Sequence, residues 1–221
     1  VTINKKGREP NPAFFFISII VFSFMGCTLF DPHGRRSSLI DQAIENGWKS
    51  QIVHTGKFKL FTLKKFRNST LSSATIYIEG DGKAWLNKTT ASPDPTPNRP
   101  VALRLALIDP AANIFYLGRP CQYVSQRNCH PKYWTSQRYS IDIVASLGKA
   151  LDQLKFIHGL KSFELIGYSG GGTLAALMAA GRADIDRLIT VAANLDTDKW
   201  TELLELSPLS GSLNPVNMRT T

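Results

Sequence analysis

Gly167-Tyr168-Ser169-Gly170-Gly171 is the segment in which residue type and spacing most plainly serve chemistry. It lies between an apolar stretch, Phe163 to Ile166, and a run of small residues, Thr173 to Ala180, so the serine falls on a strand-to-helix turn. Such a sharp turn presses the residues two before and two after the serine against neighbouring chain. A side chain larger than hydrogen collides there, and Gly167 and Gly171 hold those positions. The turn lifts the hydroxyl clear of the sheet, and the helix that follows aims its N-terminal dipole and free N–H groups at the same point. This predicts nucleophilic acyl transfer, with the Gly170 amide placed to stabilise the negative oxygen of a tetrahedral intermediate. A phosphate cradle is the competing use of such a turn, but the P-loop lysine and the Gly-x-Gly-x-x-Gly pattern are both absent. Ser146-Leu-Gly-Lys149 has the Ser-x-x-Lys form, but it sits inside a predicted helix with no Ser-Asp-Asn or Lys-Thr-Gly in the sequence, and is read as coincidence.

The elements that must position this turn alternate in type. Residues 28 to 50 carry mixed turn and helix signals, and Lys57 to Leu63 alternates as an outer strand does. Ala74 to Ile78 is shorter and more uniformly apolar, as a strand covered on both faces should be, and it stops at Glu79-Gly80-Asp81-Gly82. Pro93, Pro95, Pro97 and Pro100 make residues 88 to 100 a loop. Val101 to Ile108 reads as a short helix closed by Asp109-Pro110, and Asn113 to Leu117 as a strand ending at Gly118. Apolar residues recur at helical spacing from Ser136 to His158, with Gly159 placed to stop the helix. Gly181 closes the small-residue helix after Ser169, and Leu188 to Ala193 is a last apolar strand, expected to have neighbours on both sides. Strands alternating with helices predict an α/β fold: a mostly parallel sheet with helices on both faces.

With this alternation around it, Gly167 to Gly171 resembles the nucleophile turn of the α/β-hydrolase family, and the resemblance runs from about residue 50 to Thr221. The family draws its second oxyanion amide from a turn after an earlier strand, usually in a His-Gly-type motif. Here Glu79-Gly80-Asp81-Gly82 stands in that place, which implies the backbone N–H of Asp81, or else of Gly82, as donor. Glu in place of His is a departure that a main-chain hydrogen bond tolerates. The family orders its triad Ser, then Asp or Glu, then His. No histidine follows His158, so the chain is expected to be a fragment or truncated product whose acid and base lie in a missing C-terminal part. Asp196, after the last strand, is either a triad acid or a helix N-cap before Lys199-Trp200. His130 lies in a loop on the same face as Ser169 but in the wrong chain order for the family's base, and His158 points to the opposite face.

The N-terminus adds a different signal. Lys5-Lys6-Gly7-Arg8 precedes an apolar run from Ala13 to Met25, then Gly26-Cys27. As a helix this run spans about 20 Å, short of the roughly 30 Å hydrocarbon core, and the order of charge then apolar run is that of a secretion signal. Phe24-Met25-Gly26-Cys27 resembles the lipobox of bacterial lipoproteins; Phe24 and Met25 are bulkier than usual, which leaves simple export or an uncleaved signal anchor as the alternatives. The resemblance implies lipidation of Cys27, residues 1–27 as signal, 28–50 as N-terminal extension and 51–221 as hydrolase core, in a bacterial envelope protein facing the periplasm or outside. In such an oxidising compartment Cys121 and Cys129 are expected to pair. A Cys/His metal site using His130 is the rival, though no second Cys-x-x-Cys or His-x-x-x-His lies nearby; no metal or cofactor is expected.

The composition fits this reading. The 221 residues are 43% apolar, which excludes wholesale disorder and suits one folded core. Lys and Arg number 26 against 17 Asp and Glu, for a net charge of +9, but they are spread along the chain and form no stripe for nucleic acid. The expected partners are a small-molecule ester, thioester or amide and, through the N-terminus, a membrane. Two functions stand: a serine hydrolase built on Ser169, inactive or incomplete as this chain, and a non-catalytic envelope lipoprotein that uses the same scaffold for binding.

Overall fold

The computed structural model describes residues 32–218. The expected signal segment and Cys27 lie outside them. Six strands form one sheet in the order β1 (Lys49–His54), β2 (Lys59–Phe66), β4 (Asn113–Leu117), β3 (Ser73–Ile78), β5 (Ser162–Tyr168) and β6 (Ile185–Val191). The pairs β1–β2 and β2–β4 are antiparallel, and β4, β3, β5 and β6 run parallel. Helices α1 (Pro32–Glu45), α2 (Val101–Ile108), α3 (Ile141–His158), α4 (Gly170–Ala180) and α5 (Thr197–Leu203) complete the order.

Strand alternation sorts the core into two layers, as a sheet covered on both sides requires. Ile76, Ile78, Phe115, Leu117, Phe163 and Leu165 pack on one face with Leu147 and Leu151 of α3 and Leu174 of α4. On the other face Tyr77, Ile114 and Tyr116 meet Leu103 and Ala106 of α2, together with Ala43 and Trp48. Strands β3 and β4 sit in the middle, where every residue but Ser73 is buried. This is the α/β architecture that the strand and helix pattern predicts.

Three local expectations are corrected. The Lys57–Leu63 segment is not the outer strand, because β1 pairs along it from Lys49↔Lys64 to His54↔Lys59. In β1 only Val53 is buried, which left too little apolar signal to mark a strand. Helix α3 begins at Ile141 rather than Ser136, because Arg138 and Tyr139 turn inward ahead of it and are buried. The last strand runs over Ile185–Val191 rather than Leu188 to Ala193; among the described residues it is a sheet edge, and its Leu188, Ile189 and Val191 are 37–39% exposed. Gly159 ends α3 as expected, with φ of +65° at the cap.

Candidate active site

Strand β5 leads directly into Ser169. It occupies the single position between the end of β5 and the start of α4, with φ +51° and ψ −124°. A non-glycine residue in that conformation costs about 1–3 kcal/mol and persists only where its surroundings hold it. Here the Ser169 N–H donates to Val191 O at 2.8 Å, and the Ser169 carbonyl accepts from the Gly172 N–H at 2.9 Å. The flanking glycines are sterically required. A Cβ on Gly167 would lie 2.4 Å from Gly171 O, and one on Gly171 would lie 2.3 Å from Ile78 O at the end of β3.

That close approach brings the turn after β3 against the serine. A Cβ on Gly80 would stand 3.4 Å from Ser169 Cβ, so the two turns face each other directly. Among the described residues no backbone carbonyl accepts from the amides of Asp81 or Gly170. Ser169, Tyr168 and Asp81 line one cavity of about 870 Å³ together with Trp85, Arg99 and Arg138. A second hollow of about 620 Å³ shares Trp85 and Arg138 and adds Trp200, Leu204 and Leu206.

Two carboxylates in the turn have opposite surroundings. Glu79 is 1% exposed; its Oε1 accepts from the Gly80 N–H at 2.9 Å, and its Oε2 accepts from the Tyr116 hydroxyl at 3.0 Å. Burial pushes its carboxyl above the ordinary value, against those hydrogen bonds. Asp81 is also desolvated, but it is bridged by Arg119 and by Arg138 (3.0 Å), and it accepts from the Tyr139 hydroxyl at 3.3 Å. Burial raises its carboxyl, and the two guanidinium charges outweigh that and hold it below the ordinary value.

Asp196, His130 and His158 do not line the Ser169 cavity, and each makes other contacts. Asp196 caps α5, accepting from the Lys199 N–H at 3.1 Å and from the Asn214 side-chain amide at 3.1 Å, and these bonds hold its carboxyl below the usual range. Exposed His130 accepts from the Lys132 N–H at 3.3 Å. His158 stacks against Phe66 and Phe115, by the end where β4 begins, whereas Ser169 lies where β5 ends. Burial, and then Lys64, lowers the His158 pKa. None of the described histidines lines the Ser169 cavity. Ser146 is buried in α3 and hydrogen-bonded to Thr55, far from any role for Lys149.

Cys121 and Cys129 form a disulfide with Cα atoms 5.6 Å apart, and no cluster of three metal-ligating side chains occurs among the described residues. Nor is any described helix long and apolar enough to cross a membrane. The residues that sequence reading missed are Arg119, Gln122, Arg138 and Tyr139. Their one available signal was position, since Gly118-Arg119 follows a central strand at the end where Ser169 sits.

No family model matches the sequence, and no curated protein matches it. Solved structures do align with it. A putative lipase from Acinetobacter baumannii is 16% identical over 73% of this chain and 46% of its own, with a TM-score of 0.49. A bacterial membrane phospholipase A is 15% identical over 83% and 52%, with a TM-score of 0.47. An alpha-beta serine hydrolase homologue from Coxiella burnetii is 15% identical over 72% and 70%, also at 0.47. The chain therefore spans about half the length of the first two. On its own geometry, a mostly parallel sheet with a left-handed serine at the β5–α4 turn, this chain has the α/β-hydrolase fold.

Proposed function

We propose that the chain is the scaffold of a serine hydrolase that cleaves an ester, thioester or amide by acyl transfer to water. The observation that carries this reading is the strained Ser169, held at a strand-to-helix crest opposite a second glycine turn. The Ser169 hydroxyl attacks the acyl carbon and its proton passes to a base. The amides of Gly170 and Asp81, or else Gly82, receive the carbonyl oxygen as it becomes negative. The tetrahedral intermediate then expels the leaving group, and water releases the acyl group. The base and its acid partner come from outside the residues that line this cavity. Export and attachment of lipid to Cys27, which would hold the protein at a bacterial envelope membrane, belong to the same proposal.

A second reading is supported by one observation: no described histidine lines the cavity. In that reading the scaffold binds a ligand without turning it over. Hydrolysis of p-nitrophenyl acyl esters by the full chain and by Ser169→Ala separates the two. Turnover above the variant's level supports the hydrolase. Saturable ester binding with identical background rates supports the binding module. Labelled palmitate incorporation that persists in Cys27→Ser would refute the lipid assignment.

A further inference from the structure

The turn that faces Ser169 is held from outside its own strand. Asp81 receives Arg119 and Arg138 on its two carboxylate oxygens. The Gly80 carbonyl accepts from Gln122 Nε2 at 2.9 Å, and Gln122 Oε1 in turn accepts from the Arg119 N–H at 3.1 Å. Arg119 Nη2 also donates to Arg138 O at 2.8 Å, tying the start of the 119–138 segment to its end. All three clamp residues are buried. Between Arg119 and Gln122 stands Cys121, bonded to Cys129, and both Cys121 (φ +71°) and Tyr123 (φ +63°) lie in the left-handed region that non-glycine residues avoid. A backbone this unfavourable needs an anchor, and the disulfide supplies one beside the two residues that grip the turn.

We propose that Arg119 and Gln122 are positioning residues for the 80–82 turn, and that the Cys121–Cys129 disulfide is what keeps them in place. The bond thereby couples the state of the 121–129 loop to the direction in which the Asp81 amide points. An oxidising compartment locks the turn facing Ser169, and loss of the cross-link frees it. The clamp stands on the contacts themselves; only its effect on reaction rate rests on the hydrolase reading.

The test compares the full chain with the double variant Cys121→Ser/Cys129→Ser and with Gln122→Met, which keeps the disulfide and removes the bond to Gly80. Hydrogen exchange by mass spectrometry follows the peptide over residues 80–83, whose Lys83 amide donates to Pro95 O at 3.0 Å. Exchange there should quicken by about tenfold in both variants while β3, β4 and β5 keep their protection. Unchanged exchange at 80–83 in a folded double variant overturns the role given to the disulfide; where the double variant loses protection everywhere, the parent chain with Cys121–Cys129 reduced and alkylated under native conditions takes its place. Unchanged exchange at 80–83 in a folded Gln122→Met variant overturns the clamp. Fluorophosphonate labelling of Ser169 supplies the second readout: the maximal rate should fall about tenfold with the probe's half-saturating concentration unmoved. If the parent chain takes no label while 80–83 loosens as stated, the hydrolase reading fails and the clamp stands.

Discussion

The carboxylate of Asp81 lies against Gly170: a Cβ at residue 170 would stand 2.4 Å from Asp81 Oδ1. The two amides assigned to the oxyanion hole therefore share their surroundings with a negative charge, which would oppose a developing oxyanion if left alone. Arg119 and Arg138 cancel that charge, and this explains why two buried arginines accompany one aspartate.

Crowding at this point predicts a sharp contrast between glycines. Gly170→Ala should cost about 2 kcal/mol, because the Asp81 carboxylate must shift against two guanidinium groups. Gly148, in mid-α3 with only Arg182 Nη1 at 3.8 Å, has room for a methyl group, and Gly148→Ala should gain about 0.5–1 kcal/mol from helix propensity. Denaturant unfolding of both variants checks this.

Asp196 serves as a cap in this structure, so its contribution should be to stability alone. Asp196→Ala should lose about 1 kcal/mol, and Asp196→Asn almost none, since both Asp and Asn side chains accept from the Lys199 N–H. Fluorophosphonate labelling should be the same in both variants. A labelling rate that collapses in Asp196→Asn would restore it as a triad acid.

The two turn carboxylates should pull stability in opposite directions with pH. Asp81 has a folded pKa below the ordinary 3.8, as does Asp184, where burial is outweighed by the paired Arg182 and Lys155 and the value falls to about 2; their stabilisation is full above about 4 and lost as pH falls through the folded values. Glu79 is raised above 4.5, so the folded state binds its proton more tightly and stability declines as pH rises from 4.5 through its folded value. Urea midpoints measured from pH 4.5 upward should therefore fall less steeply in Glu79→Gln than in the parent chain.

The exposed edge at β6 predicts self-association. Leu188, Ile189 and Val191 present apolar side chains beside an edge that no other strand pairs with among the described residues, a template for another strand. Light scattering should rise with concentration in the parent chain and fall in Ile189→Lys, with unfolding changed by less than about 0.5 kcal/mol.

How far the sequence foretold the molecule depended on the residue's surroundings. Gly167 and Gly171 were legible because a backbone contact admits only hydrogen, and β3 and β4 because burial on both faces leaves a continuous apolar run. Strand β1 was not, since an edge strand needs just Val53 inside. The Arg119–Asp81–Arg138 bridge was equally hidden. It joins residues 38 and 57 positions apart by charge, which has no period along the chain. Asp81 was singled out for its amide, while its side chain turned out to hold the turn in place.

The most direct test of the central claim is the site of covalent capture. The full chain is incubated with a fluorophosphonate and read by intact mass and peptide mapping. One adduct is expected, on Ser169 and absent in Ser169→Ala, formed slowly because no described histidine lines the cavity. No adduct at Ser169, or adducts scattered over surface hydroxyls, would contradict the account.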